Sequence, residues 1–196
     1  MKYYKVLDAG GKCIYGNGSW FSPKKDKPGK WMPVVESLKM CESGYHLCRR
    51  KDLLGWLGPE IYEAEGRGKK LIGDDKVVFQ QARLLRRLDT WTERTARLFA
   101  CDCAERVVHL TNDQRSQDAI HVARRYAMGE ATEEELDAAF DAARDAAGYA
   151  AFAAAFAAAR AAVRDAAWDA AWYAARDKEI KWQTKRLFEY LDGRRK

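Results

Sequence analysis

The stretch from Asp137 to Asp177 constrains the fold more than any other part of the sequence. It consists of ten consecutive four-residue units, most of them of the form x-Ala-Ala-x. Alanine is the best helix former, so the stretch is predicted to be helical. A straight α-helix repeats every 3.6 residues, and each unit therefore rotates the alanine pair by roughly 40°. The apolar stripe has to wind around its neighbours or break, and Gly148 is the predicted break because a glycine inside a helix costs roughly 1 kcal/mol.

Aromatic side chains occupy several variable positions of this stretch. The small alanines allow helices to approach closely, and the rings fill the gaps that remain. Aromatic residues that stay exposed after packing are the candidate contacts for a partner. These candidates are Phe152, Phe156, Trp168 and Trp172.

The remainder of the second half also carries helix signals. Gly129 is the expected C′ residue of one helix. Thr132 and Glu135 have the spacing of a capping box, which predicts where the alanine helix begins. Short connections between the helices favour an antiparallel bundle. The predicted helices cover residues 93–110, 113–128, 132 onward and 178–191.

The first half is punctuated by glycine and proline and carries strand signals instead. The predicted elements are strands over 3–7, 13–15, 61–64 and 77–88, a surface loop over 16–30, a short helix over 52–57 and a turn over 66–70.

The composition changes near residues 89 to 92, which predicts a domain boundary there. Residues 1–89 contain 18 Lys and Arg against 11 Asp and Glu, whereas residues 90–196 contain 17 against 18. The predicted fold class is α+β. A basic module with a small mixed β-sheet covers 1–89, and an alanine-rich antiparallel helical bundle covers 90–196.

The basic residues of the first half are candidates for binding phosphate, nucleic acid or an acidic protein, with a solvated surface as the alternative. Trp20, Phe21 and Trp31 are available for base stacking. The basic candidates are Lys24, Lys25, Lys27, Lys30, Arg49, Arg50, Lys51, Lys69, Lys70, Arg83, Arg86 and Arg87.

The amino terminus lacks the apolar run of a signal peptide, and no stretch is long and apolar enough to predict a membrane span. We therefore expect the protein in the cytoplasm, in a bacterial host cell if the resemblances below apply. An odd number of cysteines, five, fits reduced thiols there. No glycine-rich nucleotide motif, phosphate loop or nucleophile elbow occurs, so no cofactor is predicted.

Cys13, Cys41, His46 and Cys48 have the residue types of a zinc site. Structural zinc sites usually offer paired knuckles, and Cys-x₄-His-x-Cys has a different spacing. Buried thiols beside a hydrogen-bonded histidine are the favoured interpretation, and a metal site is the alternative.

Four segments of the first half resemble an uncharacterised module of bacteriophage and prophage proteins. That module typically reads Cys-x-Ser-Gly-x-His-x-Cys, followed by an apolar helix, a Tyr-x-x-Glu strand and an Asp-Asp-x-Lys turn. The resemblance covers roughly residues 30–89 and implies an origin in phage biology. The matching segments are 38–48, 53–56, 61–65 and 74–77.

The second half is similar to a family of immunity-type proteins of bacteria and their phages. Residues 91–107, 118–129 and the alanine tract carry this resemblance. It implies that the domain binds a bacterial host protein and inhibits or neutralises a toxin or defence component.

Tyr45, Trp56, Tyr62 and Asp74 resemble a series found in small ADP-ribosyltransferases of the rifamycin-modifying type. That resemblance implies an enzyme, with Tyr45, His46 and Asp74 as candidate catalytic residues. The early His-Gly-Thr of that family has no counterpart, because Tyr3-Tyr4-Lys5 stands in its place.

Overall fold

The computed structural model describes residues 2–16, 18–25, 27–107, 114–142 and 165–195, without the side chains of Val107 and of residues 165–175. These residues form two compact units. The sheet unit comprises Met1–Thr92 and Leu187–Lys196, and the helical unit comprises Glu93–Arg186. The predicted α+β class is confirmed.

A curled antiparallel sheet forms the centre of the sheet unit. Its strands are β1 (Tyr3–Leu7), β2 (Tyr45–Leu47), β3 (Glu60–Ile72) and β4 (Val77–Arg87), in the order β1-β3-β4-β2. Every described pair is antiparallel, whereas a small mixed sheet was predicted from the sequence. Tyr4 and Cys48 exchange two backbone hydrogen bonds of 2.8 Å, which bring β1 to the end of β2 and curl the sheet.

The concave face of this sheet holds a hydrophobic core. Side chains alternate between the two faces of a strand, so Tyr3 and Leu7 of β1 point inward together with the intervening Lys5. Phe79 of β4 packs edge-on against Tyr3, with ring centroids 5.0 Å apart. Gly66 of β3 makes room for the same ring, because a Cβ there would lie 2.3 Å from Cγ of Phe79. The buried members of this core are Tyr3, Leu7, Trp20, Leu47, Tyr62, Ala64, Val77, Phe79, Ala82 and Leu84.

Two predicted elements of the first half are wrong. Residues 13–15 form no strand. The predicted turn over 66–70 lies inside β3, where Gly68 has φ +81° at a register shift between Arg67 and Lys70. Pairing with β4 carries the chain through this glycine as a bulge instead of reversing it. The short helix predicted over 52–57 is a 3-10 turn, Leu53–Trp56.

The helical unit contains four helices in its described part. They are α1 (Glu93–Val107), α2 (Gln114–Met128), α3 (residues 133–142 as far as described) and α4 (Asp165–Leu191), and the end of α4 from Leu187 belongs to the sheet unit. None of the helices in the described part of the chain combines the length and apolar character that a membrane span needs.

The predicted helix ends at Gly129 and Thr132 are confirmed, whereas the helix start predicted at residue 178 is wrong, because α4 runs without a break from Asp165 to Leu191. Gly129 follows α2 with φ +78° and its amide donates to the carbonyl of Tyr126. At the start of α3, the amide of Thr132 donates to Oε2 of Glu135 at 2.8 Å, and the amide of Glu135 donates to Oγ1 of Thr132 at 3.2 Å. These two bonds are the reciprocal pair of a capping box.

The last ten residues pack within the sheet unit, whereas the sequence boundary assigned them to the helical domain. Phe188 contacts Tyr4 of β1 edge-on, with centroids 5.3 Å apart, and the Arg50 guanidinium lies 3.5 Å above the Phe188 ring. Thr90 donates its hydroxyl to the carbonyl of Leu191 at 2.6 Å.

Several sequence predictions concern residues outside the described part. The break at Gly148 and the proposed contacts Phe152 and Phe156 lie there, and so do the side chains of Trp168 and Trp172.

Candidate ligand cavity

A cavity of about 600 Å³ opens into the sheet unit, and we call it the Lys5 cavity. β1 and β2 contribute to its wall, and residues 13–16 and 18–20 contribute the facing side. Its size lies within the usual range for small-molecule sites. The side chains used below are Lys5, Cys13, Tyr15, Trp20, Cys41, Tyr45, His46, Cys48, Trp56 and Lys76, all of which line it.

Lys5 is a cation at a position that strand alternation directs toward the core. Its Nζ lies 3.4 Å from the carbonyl oxygen of His46 and 5.1 Å from the centre of the Trp20 ring. No carboxylate of the described residues forms an ion pair with it. The amine therefore has one long hydrogen bond and one aromatic contact to offset the loss of water.

Burial shifts the pKa values of the groups around this amine. It lowers the pKa of Lys5 below its ordinary value, and negative charge on Cys13 or Cys48 opposes that change only where those thiols are ionised. Burial also raises the pKa of the Cys48 thiol to about 12. Cys48 is consequently a neutral thiol near neutral pH, and it supplies no negative charge to balance Lys5.

Four aromatic side chains form much of the cavity wall. Trp20 and Tyr45 meet edge to face with centroids 5.5 Å apart, and Trp56 and Tyr15 do so at 6.0 Å. The Lys76 ammonium lies 4.6 Å above the Trp56 ring, whose Nε1 donates to the carbonyl of Asp75 at 3.2 Å. Tyr15 is 77% exposed, which places it at the mouth of the cavity.

His46 is held by both ring nitrogens. Its Nε2 accepts a hydrogen bond from the amide of Cys41 at 3.0 Å, and Nδ1 lies 3.1 Å from the carbonyl oxygen of Gly44. An amide can only donate, so Nε2 carries the lone pair and Nδ1 the proton. Burial lowers the pKa of His46, Lys5 lowers it further, and the bond to Gly44 opposes them. The neutral ring shapes the 41–46 turn instead of presenting a free base.

The predicted metal ligands do not come together as a coordination site. Among the residues that the structure describes, no group of three or more His, Cys, Asp or Glu side chains is placed to hold a metal ion. Cys41 is exposed and Cys48 is buried, while the lone pair of His46 is already engaged. The hydrogen-bonded histidine agrees with the favoured interpretation, but of these three thiols only Cys48 is buried, so the prediction of buried thiols is wrong for the exposed Cys41 and the half-buried Cys13.

The residues that resemble the ADP-ribosyltransferase series are divided between two environments. Tyr45 and Trp56 line the cavity. Tyr62 belongs to the core and donates its hydroxyl to Oε2 of Glu60 at 2.8 Å. Asp74 lies in the β3–β4 turn outside the cavity lining, and its carbonyl oxygen accepts from the Arg49 guanidinium.

All five arginines among the predicted basic candidates have partners within the sheet unit. Arg49 pairs with Asp52, and Arg50 stacks on Phe188. The other arginine pairs are Arg83 with Glu65, Arg86 with Glu63, and Arg87 with Glu60 and Asp89.

The lysine candidates are exposed and form no ion pair with a described residue. They are Lys24, Lys25, Lys27, Lys30, Lys51, Lys69 and Lys70. Of the predicted stacking residues, Trp20 is buried and Trp31 lies between the guanidinium groups of Arg67 and Arg83, at 4.0 and 4.7 Å. Phe21 is 46% exposed.

The sequence predictions did not identify Lys5 and Lys76 as site residues. A signal for Lys5 exists in the sequence, because it lies between Tyr3 and Leu7 on the predicted inward face of the first strand. Lys76 follows two aspartates in a turn, which is typical of a solvated lysine.

No family model, curated protein or solved structure matches this chain.

Proposed function

We propose that the sheet unit binds a small planar anion in the Lys5 cavity. The observation that carries this proposal is the Lys5 ammonium, which faces a cavity without a carboxylate partner among the described residues. Lys5 is half-buried, and a cation that loses part of its water is costly unless an opposite charge accompanies it. A carboxylate or phosphate of a bound ligand would supply that charge.

The remaining wall selects a planar ligand. Trp20, Tyr45, Trp56 and Tyr15 line the cavity, and a conjugated ring system would pack against these aromatic side chains. Lys76 adds a second positive charge, which is shared with Asp75 at 3.6 Å. The lining residue Glu42 is exposed and paired with Lys39 at 2.7 Å, so it leaves the interior of the cavity electropositive. Nucleotides and aromatic carboxylates combine both properties.

Calorimetric titration with matched probes tests this proposal. AMP and 4-hydroxybenzoate carry the anion, whereas adenosine and 4-hydroxybenzamide have the same rings without it. We expect the anions to bind at least about tenfold more tightly than the neutral probes, since a charge-assisted contact is worth about 1.5–3 kcal/mol. Quenching of tryptophan fluorescence should accompany binding, because Trp20 and Trp56 line the cavity.

Two lysine variants separate the cavity from the surface charge of the protein. Lys5→Met should abolish the preference for anions, whereas Lys12→Met removes an exposed lysine of the same unit and should preserve it. Equal affinity of the two variants for AMP, or no binding of either anion at millimolar concentration, would refute the proposal.

NAD extends the same titration to the enzymatic alternative. It carries planar rings and phosphates, so it belongs to the proposed ligand class. Release of nicotinamide from NAD by the wild type, together with its loss in Tyr45→Phe, would support an ADP-ribosyltransferase. Binding of NAD without turnover would support a binding module alone.

A second candidate function is the binding and neutralisation of a bacterial protein, such as a toxin or a defence component. The supporting observation is an exposed edge of β3 that carries positive charge and apolar side chains. A saturable complex with a purified host protein would support this function. A complex that forms equally well without the residues of this edge would count against it.

A further inference from the structure

One edge of β3 has no partner strand over much of its length. β3 runs for 13 residues, and β1 pairs only with its first five, Glu60 to Ala64. On the other side, β4 pairs with β3 as far as Ile72. Among the described residues, no further strand or isolated bridge pairs with residues 65–72. We call this free side of residues 65–72 the β3 edge.

The β3 edge is positively charged. Arg67, Lys69 and Lys70 are exposed, and none of them forms an ion pair with a described carboxylate. The nearest carboxylate along the strand, Glu65, is paired with Arg83. An approaching segment therefore meets three cations that the fold leaves without compensating charge.

The same edge also exposes apolar side chains. Leu71 is 39% exposed and Ile72 is 66% exposed. Ile72 pairs across the ladder with Val77, and Lys70 pairs with Phe79, both core residues of β4. Beyond the end of β1, the concave face of the sheet is therefore exposed to solvent. A strand added to the β3 edge would cover this exposed part.

We propose that the β3 edge binds an extended acidic segment of a partner protein by adding it as a strand in line with β1. Unpaired backbone groups of residues 65–72 would supply the hydrogen bonds, and side chains of alternating character would supply selectivity. Acidic residues on one face of the added strand would contact Lys69, and apolar residues on the other face would cover Ile72, while Arg67 and Lys70 add to the positive charge that attracts the segment. Lysines on an open edge also oppose pairing between copies of one chain, so the charge that repels a second copy attracts an acidic strand.

This inference deepens the second candidate function and names the chemistry of its partner. It is independent of the Lys5 cavity, which lies on other residues of the sheet unit.

Amide chemical shifts of the protein report which residues a peptide contacts. The probe is a synthetic seven-residue peptide of alternating glutamate and valine, and its control replaces each glutamate with lysine. We expect the acidic peptide to shift the amides of residues 65–72 in a saturable manner and the basic peptide to leave them unchanged. Higher salt should weaken the interaction, because its selectivity is electrostatic.

Two charge-reversal variants provide the matched comparison. Lys69→Glu with Lys70→Glu should weaken binding of the acidic peptide at least about tenfold. Lys24→Glu with Lys25→Glu changes the net charge by the same amount at the exposed loop and should leave the affinity within about twofold. Both pairs are exposed, so neither exchange should prevent folding.

Three outcomes would overturn the proposal. The first is that millimolar acidic peptide leaves the amide chemical shifts of residues 65–72 unchanged. The charges of the β3 edge would then serve only to prevent its pairing with a second copy of the chain. The second is an equal loss of affinity in the two charge-reversal variants. The third is stronger perturbation of the same amides by a single-stranded oligonucleotide than by the peptide. An AMP titration on the same sample reports the cavity separately, so the two proposals fail independently.

Discussion

Replacing Lys5 with methionine should stabilise the protein while it abolishes the preference of the cavity for anions. Methionine has a similar length and no charge, so the exchange removes the ammonium and retains most of the packing. The lost contacts are a 3.4 Å hydrogen bond to the carbonyl of His46 and a 5.1 Å approach to Trp20. A bond of that length contributes less than a typical hydrogen bond of about 1 kcal/mol, and the aromatic contact contributes roughly 0.5–1 kcal/mol.

The opposing contribution is the cost of burying an ammonium group, which is several kcal/mol for a fully buried ion and smaller for the half-buried Lys5. Because no described carboxylate compensates it, we expect Lys5→Met to raise the free energy of unfolding by about 1–2 kcal/mol at pH 7. Urea unfolding followed by circular dichroism measures this difference, and an unchanged slope would show that the unfolded state is unaltered.

The pH dependence gives the sign of the effect independently. The folded state lowers the pKa of Lys5 below the ordinary value of 10.5, so the unfolded chain holds the proton more tightly. At pH values below the folded-state pKa of Lys5, the wild type should therefore carry the full cost of the buried ammonium. As the pH rises toward 10.5, the wild type should regain stability relative to Lys5→Met. Lys12→Met, which removes an exposed amine, should differ from wild type by less than about 0.5 kcal/mol.

Two results would refute this reasoning. One is a Lys5→Met variant that is less stable than wild type by about 1 kcal/mol at pH 7, since the ammonium would then be well solvated or paired. The other is a stability difference that stays constant between pH 7 and pH 10. Either result would also remove the main argument for an anion in the cavity.

Further predictions concern packing, capping and titration. Gly66→Ala should destabilise the sheet unit by about 1–3 kcal/mol in urea unfolding, because its Cβ would overlap the Phe79 ring, whereas Gly55→Ala meets nothing within 4 Å and should be nearly neutral. Thr132→Ala should lower the free energy of unfolding by about 1 kcal/mol and speed amide hydrogen exchange in the first turn of α3. Unchanged exchange would contradict the capping box. Tyr62 should ionise with a pKa of about 12 in an ultraviolet titration, since burial and the bond to Glu60 both raise it, and ionisation near 10 would contradict this environment.

Features set by neighbouring residues were predictable from the sequence. Strand β1 has the predicted bounds, and Gly129 and the Thr132 capping box end one helix and begin the next as expected. Each depends on local chemistry: side-chain alternation, a left-handed glycine, and a hydroxyl three residues before a carboxylate. Such signals act over a few residues and need no tertiary contact.

The extent of β3 was not predictable in the same way. The sequence Gly66-Arg-Gly-Lys-Lys70 has the composition of a turn, and glycine usually interrupts a strand. Pairing with β4 supplies backbone hydrogen bonds on both sides of Gly68 and holds the segment extended. The close approach of Phe79 gives Gly66 a packing role that a local pattern cannot reveal.

The candidate site shows the same division. The sequence by itself determined that Lys5 shares a strand face with Tyr3 and Leu7, because alternation is a property of the extended chain. Only the tertiary structure decided that this face is enclosed, since Trp20 and the end of β2 reach it from positions distant along the chain. An amine on a strand is ordinary in water, and its chemistry changes only when long-range pairing removes that water.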